Sequence, residues 1–121
     1  MTKVLIVDDS ITVRQQVIAA LKPAGFDVAE AADGEDALTQ LLAGLAVRLV
    51  ICDVNMPKLN GLDMLERLRS EASIASTPVM MLTTEGQPEY IARAKALGAK
   101  AWMVKPFKPE LLVSAVKKLS A

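Results

Sequence analysis

Four short apolar runs in this 121-residue chain each end in residues able to do chemistry. Val4-Leu5-Ile6-Val7 leads into Asp8-Asp9-Ser10, and Leu49-Val50-Ile51-Cys52 into Asp53, followed by Val54-Asn55-Met56-Pro57. The run ending at Leu82 leads into Thr83-Thr84-Glu85, and the run ending at Val104 into Lys105-Pro106-Phe107. Taken singly, each has an ordinary structural role. Asp8 and Asp9 suit a turn or a helix cap, Asp53 an Asx-turn, Thr83 a strand end and Lys105 a solvated loop. Cys52 reads as a small buried strand residue, not a nucleophile. Their joint placement is what points to chemistry.

If the three aspartates converge, their charge must be answered. Two carboxylates about 5 Å apart at an effective dielectric near 20 repel by roughly 3 kcal/mol. Three together cost on the order of 10 kcal/mol gross, comparable with the whole stability of a small domain. Such a cluster must protonate a member, recruit a cation, or be spread apart. With no His in the chain and a single Cys, the available donors are oxygens. Oxygen donors point to a hard divalent ion such as Mg²⁺, which completes its octahedron with water or phosphate oxygens. A lysine and a hydroxyl nearby then suit a phosphoryl group, which spreads charge over its non-bridging oxygens.

The elements that must hold these residues alternate regularly. Strand-like runs cover residues 3–7, 26–31, 48–52, 78–82 and 99–104, and helical spacing fills the stretches between and after them. Ala37, Leu38, Leu41, Leu42 and Leu45 form one stripe, and Leu111, Leu112, Ala115, Val116 and Leu119 repeat its spacing. Val17, Ile18 and Leu21 mark the first helix, and Leu62, Leu65 and Leu68 the third. The fourth, near residues 89–97, is thinnest, with Ile91, Ala94 and Leu97. Ser10 and Asp33 read as N-caps, while Gly25 and Gly98 are expected to end the first and fourth helices. Five strands alternating with five helices predict an α/β domain built on a doubly wound parallel sheet. The first and third strands, apolar throughout, belong at its centre. The second, carrying Asp27 and Glu30, belongs at an edge. In such a sheet ligands bind at the carboxyl ends of the strands, where all the residues above fall. Only the second strand adds no member to that rim.

Composition narrows the rest. Lys plus Arg and Asp plus Glu number 14 each, giving a formal charge of zero, which argues against a bulk nucleic-acid binder. The neutrality hides an asymmetry: residues 1–61 carry net −3 and residues 62–121 net +3. One Cys excludes an internal disulfide, Cys and His are too few for a structural zinc site, and no step can use imidazole as general base. No apolar run approaches the roughly 20 residues that span a bilayer, and Asp8 and Asp9 come too early for a signal peptide. A soluble, cytoplasmic single domain over residues 1–121, with no effector domain, is the expectation.

Taken together, in order and at these separations, the motifs Val7-Asp8-Asp9-Ser10, Asp53-Val54-Asn55-Met56-Pro57 with Asn60-Gly61, Leu82-Thr83-Thr84-Glu85 and Val104-Lys105-Pro106-Phe107 are specific. They resemble the response-regulator receiver domain over essentially the whole chain, most closely its stand-alone chemotaxis-type members. The resemblance implies a five-stranded parallel sheet with five helices and flavodoxin-like strand order 2-1-3-4-5. It implies that Asp53 accepts a phosphoryl group from the phosphohistidine of a histidine kinase. Asp9 and Asp53 would ligate Mg²⁺ directly, Asp8 largely through water, and Asn55 through its backbone carbonyl. Thr83 would hydrogen-bond the phosphoryl oxygen and Lys105 would pair with it. Asn55 and Glu85 would flank the site and tune the acyl-phosphate lifetime, with solvated rim residues as the plain alternative. Trp102 takes the place where many members carry Tyr or Phe as a switch, the plain alternative being a core Trp. Its indole is a donor only, unlike a phenol. A cis Lys105–Pro106 bond is implied as well.

The resulting expectation is a phosphorylation-driven switch of a two-component system, monomeric, binding neither nucleic acid nor membrane. Its output partner would be a flagellar motor component, a phosphotransferase or the kinase itself. The surface of the fourth helix, fifth strand and fifth helix would be the output face. The main rival is an Mg²⁺-dependent phosphohydrolase using an aspartyl-phosphate. Dehalogenase-like phosphatases carry a second acid two residues after the nucleophile, where this chain has Asn55. A flavodoxin-like mononucleotide binder would need hydroxyls and glycines in the first loop, which here offers two acids.

Overall fold

The computed structural model describes residues 2–121. Five parallel strands, β1 (Thr2–Val7), β2 (Phe26–Ala31), β3 (Leu49–Cys52), β4 (Val79–Thr83) and β5 (Ala101–Val104), lie in the order β2-β1-β3-β4-β5. The helices α1 (Ile11–Leu21), α2 (Gly34–Leu42), α3 (Gly61–Ser70), α4 (Pro88–Ala96) and α5 (Pro109–Leu119) alternate with them. The α/β architecture and strand order 2-1-3-4-5 are those expected. The order reverses at β1 and β3, so their carboxyl ends open beside one another at the switch point.

The period-two alternation of the strands divides the core. Leu5, Val7, Val50, Cys52, Val79 and Met81 face one side, packed with Ala37, Leu38 and Leu41 of α2, Leu62, Leu65 and Leu68 of α3, and Ala94 of α4. Val4, Ile6, Leu49, Ile51, Met80 and Leu82 face the other, against Val17 and Leu21 of α1 and Leu112 and Val116 of α5. The central strands are therefore buried on both faces, while β2 exposes Asp27 and Glu30 at its edge. The other edge is β5, where Val104 is exposed. Among α4 residues only Ala94 is buried, so this helix is held by little apolar area, as its thin stripe predicts.

Several boundaries differ from the sequence reading. The first helix ends at Leu21, not at Gly25, because Pro23 has no N–H to continue the ladder. A 3₁₀ turn over Lys22–Ala24 follows, and Gly25 closes it at φ 94° with its N–H on the Lys22 carbonyl. The β4 ladder runs one residue later than expected, since Pro78 cannot donate. Thr83 is thus its last rung, paired in register with Val104. Ala99 does not join β5: its N–H donates 2.9 Å to the Ala94 carbonyl, finishing α4 around Gly98. Ser10 and Asp33 cap α1 and α2 as expected, and Asn60 does the same for α3 by accepting from the Asp63 N–H at 2.9 Å.

Candidate functional site

Register brings the rim together. Val7 lies opposite Cys52, so Asp8 and Asp53 leave neighbouring strands side by side. The Asp53 N–H donates 3.0 Å to the Val7 carbonyl, extending the ladder one rung past the strands. On the other side the Asp8 N–H donates 3.1 Å to Ala31 of β2. Both carboxylates are thereby fixed by backbone, with Asp8 only 1% and Asp53 only 6% exposed. Asp9, next in the turn, is exposed, yet carboxylate oxygens of Asp8, Asp9 and Asp53 all lie within 4.8 Å of one another.

Lys105 reaches this cluster from the end of β5. Its Nζ lies 2.7 Å from Asp8 Oδ2 and 3.0 Å from Asp53 Oδ2, and its N–H donates to the Thr83 carbonyl at 2.9 Å. The Lys105–Pro106 bond is cis. Asp8 Oδ1 accepts from the Ser10 N–H at 2.9 Å, and Asp53 Oδ1 from the Val54 N–H at 2.7 Å. The sequence places Lys105 across the rim; the fold brings its ammonium into contact with both buried acids.

Burial pushes the Asp8 carboxyl above its usual range, and the hydrogen bonds from Lys105 and Ser10 offset only part of that. Burial works against the charged form of Lys105, but the Asp8 and Asp53 carboxylates outweigh it and hold its pKa above the ordinary lysine value. The ammonium is thus secure, and Asp8 is the member whose charge is expensive. Burial likewise pushes the Cys52 thiol far up; it donates to the Asp53 carbonyl at 3.2 Å and stays inert.

Three ionised carboxylates against one ammonium leave a formal −2 at the cluster. That residual charge and an all-oxygen donor set fit a hard divalent cation, and the residues present suit Mg²⁺.

The far side of the rim is tied together by Glu85. Its N–H donates to Thr83 Oγ1 at 3.3 Å, its carbonyl accepts from Trp102 Nε1 at 3.0 Å, and its carboxylate accepts from the Asn55 side-chain amide. Thr83 is fully buried with its hydroxyl already engaged. Trp102 is half-buried against the α2–α4 side of the core. All eight residues singled out in the sequence therefore meet at one end of the sheet.

Two contributors, Arg14 and Arg69, escaped the sequence reading, and a third, Gly61, entered it only as part of a motif. Arg14 Nη1 donates to the Asp8 carbonyl at 2.7 Å, while its Nε donates to Glu30 at 2.9 Å. Arg69 donates to the carbonyls of Ala75, Thr77, Leu97 and Gly98, joining the loops on either side of β4 and α4. A lone arginine at a helical position carries no signal for either role. Gly61 starts α3 with its N–H on the Val54 carbonyl at 2.9 Å, so close that a Cβ would sit 1.9 Å from the Asp53 carbonyl oxygen. The Asn60-Gly61 pair marks it as a turn, but not as a backbone approach to Asp53.

Comparison with known proteins agrees with this geometry. Residues 4–117 match the family described as the response regulator receiver domain. Chemotaxis protein CheY1 of Helicobacter pylori is 39% identical over 111 residues, covering 91% of this chain and 90% of that one. A CheY homologue of Campylobacter jejuni is 38% identical over 91% of this chain and 85% of its own. Among solved structures, chemotaxis protein CheY4 of Vibrio cholerae superposes with a TM-score of 0.90 at 43% identity, covering 98% of both chains.

Proposed function

This chain belongs to the response-regulator receiver family, and from that premise we propose that it is a phosphorylation-activated switch in chemotaxis or motility. Membership implies phosphorylation-dependent signalling. The finer reading assigns Asp53 as the phospho-acceptor, with a histidine kinase as donor. An Asp53 carboxylate oxygen attacks phosphorus, the P–N bond of the donor phosphohistidine breaks, and its electron pair stays on the imidazole. The observation that carries this assignment is the pairing of Asp53 with Lys105 and two acidic neighbours. A carboxylate can act as a nucleophile toward an anionic phosphoryl group only where cations answer the added charge.

Asp8, Asp9, Asp53 and the Asn55 carbonyl would hold Mg²⁺. When bound, the ion would neutralise the carboxylates and draw charge from the phosphoryl oxygens. Lys105, freed from Asp8 as that acid turns to the metal, would pair with the phosphoryl group. The Thr83 hydroxyl accepts from the Glu85 N–H and would donate its own proton to that group, which links the site to Glu85, whose carbonyl accepts from Trp102. Phosphorylation would then bias a two-state equilibrium at the face of α4, β5 and α5. There α4 has little burial to hold it.

The partner is a histidine kinase on the input side and a motor component or phosphotransferase on the output side. Similarity to chemotaxis proteins over nine-tenths or more of the chain supports a chemotaxis-type receiver. A cytoplasmic place is part of this reading; among the described residues no helix is long and apolar enough to cross a membrane.

Incubation with Mg²⁺ and acetyl phosphate, followed by intact mass, tests the reading. One phosphoryl adduct, absent in Asp53→Asn, is expected. Continuous turnover of many phosphate esters without an adduct would instead support the hydrolase.

A further inference from the structure

The edge strand β2 adds no residue to the rim, yet it reaches the site through an arginine. Arg14 lies in the first turns of α1, and its side chain is only 13% exposed. Its guanidinium makes two directed contacts: Nη1 to the Asp8 carbonyl at 2.7 Å and Nε to Glu30 Oε1 at 2.9 Å. Glu30 is itself placed by the sheet, opposite Ile6, and its carbonyl accepts from the Gln40 side chain of α2 at 2.8 Å. The guanidinium is planar and rigid, so fixing one edge on Glu30 aims the other at Asp8.

The carbonyl that it holds belongs to the peptide joining Asp8 to Asp9. With the Asp8 N–H on Ala31, Oδ1 on Ser10 and Oδ2 on Lys105, this contact completes the hydrogen bonding of Asp8. Asp9 is different: among the described residues its carboxylate has no hydrogen-bond partner, and it is exposed. What directs Asp9 toward Asp53 is therefore the plane of the peptide before it.

We propose that Arg14, aimed by Glu30, is a positioning residue: it fixes the Asp8–Asp9 peptide so that the Asp9 carboxylate joins Asp8 and Asp53 around the cation. The inference rests on the metal and phosphoryl roles given above. It differs in sign from a simple charge effect. Arg14 is a cation near a cation site, so its charge alone weakens Mg²⁺ binding, and removing it would tighten binding. Loss of an outer contact that orients a ligand weakens binding, by about 10- to 100-fold in metal sites.

The test is calorimetric titration of Mg²⁺ into wild type, Arg14→Gln, Arg14→Lys and Glu30→Gln, with phosphorylation by acetyl phosphate followed across Mg²⁺ concentration. Arg14→Gln should raise the Mg²⁺ Kd about tenfold and move half-maximal phosphorylation to higher Mg²⁺ by the same ratio. Its rate at saturating Mg²⁺ should stay near that of wild type. Arg14→Lys, which keeps the charge and loses the fork, should fall between, and Glu30→Gln should shift in the same direction. An Arg14→Gln protein that folds and binds Mg²⁺ as tightly as wild type, or tighter, overturns the inference. Should that variant not fold, an unchanged Kd in both Arg14→Lys and Glu30→Gln overturns it equally. Wild type taking up neither Mg²⁺ nor phosphoryl overturns the functional reading instead, and the inference falls with it.

Discussion

The Lys105 ammonium lies 2.7 Å from Asp8 Oδ2, where it stands in contact with an acid that is almost wholly inaccessible to water. The same Nζ is 3.0 Å from Asp53 Oδ2, so one cation serves two buried carboxylates. It offsets part of the cluster's negative charge, and a divalent cation held there would compete with it.

Removing that charge should leave two acids unpaired. Lys105→Met is expected to lower metal-free stability by roughly 3 kcal/mol, the scale for breaking a buried pair from one side. Mg²⁺ should recover more stability in the variant than in wild type, because it no longer competes with an ammonium. Urea melts with EDTA and with Mg²⁺ measure both effects. Equal Mg²⁺ stabilisation of the two proteins would show that the lysine and the metal do not share these carboxylates.

Asp8 gives a pH signature of its own. Its folded carboxyl titrates above the ordinary value of 3.8, chiefly through burial. Between that value and its folded one, the native protein holds a proton the unfolded chain has released. Stability from this group is therefore present at low pH and lost as pH rises through the folded value. Asp8→Asn cannot titrate, so its melting temperature relative to wild type should rise with pH across this window and then level off. Thermal melts in EDTA from pH 3.5 to about 7 would reveal it, and a difference that shrinks with rising pH would contradict it. The Lys105 contribution runs the same way at the alkaline end, being retained until pH exceeds the usual lysine value of 10.5.

Beryllofluoride with Mg²⁺ should change the emission of Trp102, the only tryptophan. The route runs through Glu85, which donates to Thr83 Oγ1 and accepts from the Trp102 indole. Thr83→Val keeps the shape and removes the hydroxyl, so it should bind beryllofluoride while losing most of the emission change. A full-sized change in that variant would place the coupling elsewhere.

What the sequence reveals follows the kind of signal each feature leaves. The apolar strands and their terminal Asp8, Asp53, Thr83 and Lys105 are local patterns, and parallel register does the rest. The edge place of β2 is legible because Asp27 and Glu30 break its apolar run. Lys105 bridging Asp8 and Asp53 depends on the path of β5, nearly a hundred residues from Asp8, and no local spacing encodes it. Arg14 and Arg69 bond to backbone carbonyls, which every residue has, so nothing in the partner's identity marks the contact. The boundary at Leu21 was readable from Pro23, whose missing N–H outranks the glycine two residues later.

Arg69 ties the end of α4 to the loop before β4. Its Nε and Nη1 donate to Leu97 and Thr77 at 2.7 Å each, with longer bonds to Ala75 and Gly98. These contacts hold the C-terminal end of α4, and Arg93 adds a half-exposed pair with Asp63 of α3 at 2.7 Å. The N-terminal end has no side-chain cap at Gln87. Arg69→Ala leaves several partly buried carbonyls without a donor, at about 1–3 kcal/mol for such groups. The loss should appear locally: amide exchange across residues 88–99 should accelerate well beyond the change in β1 and β3. Arg93→Ala, which breaks an exposed pair, should have a much smaller effect, about 0–1 kcal/mol. Uniform acceleration throughout the sheet in Arg69→Ala would mean that this arginine supports the whole fold and not the anchored end of α4.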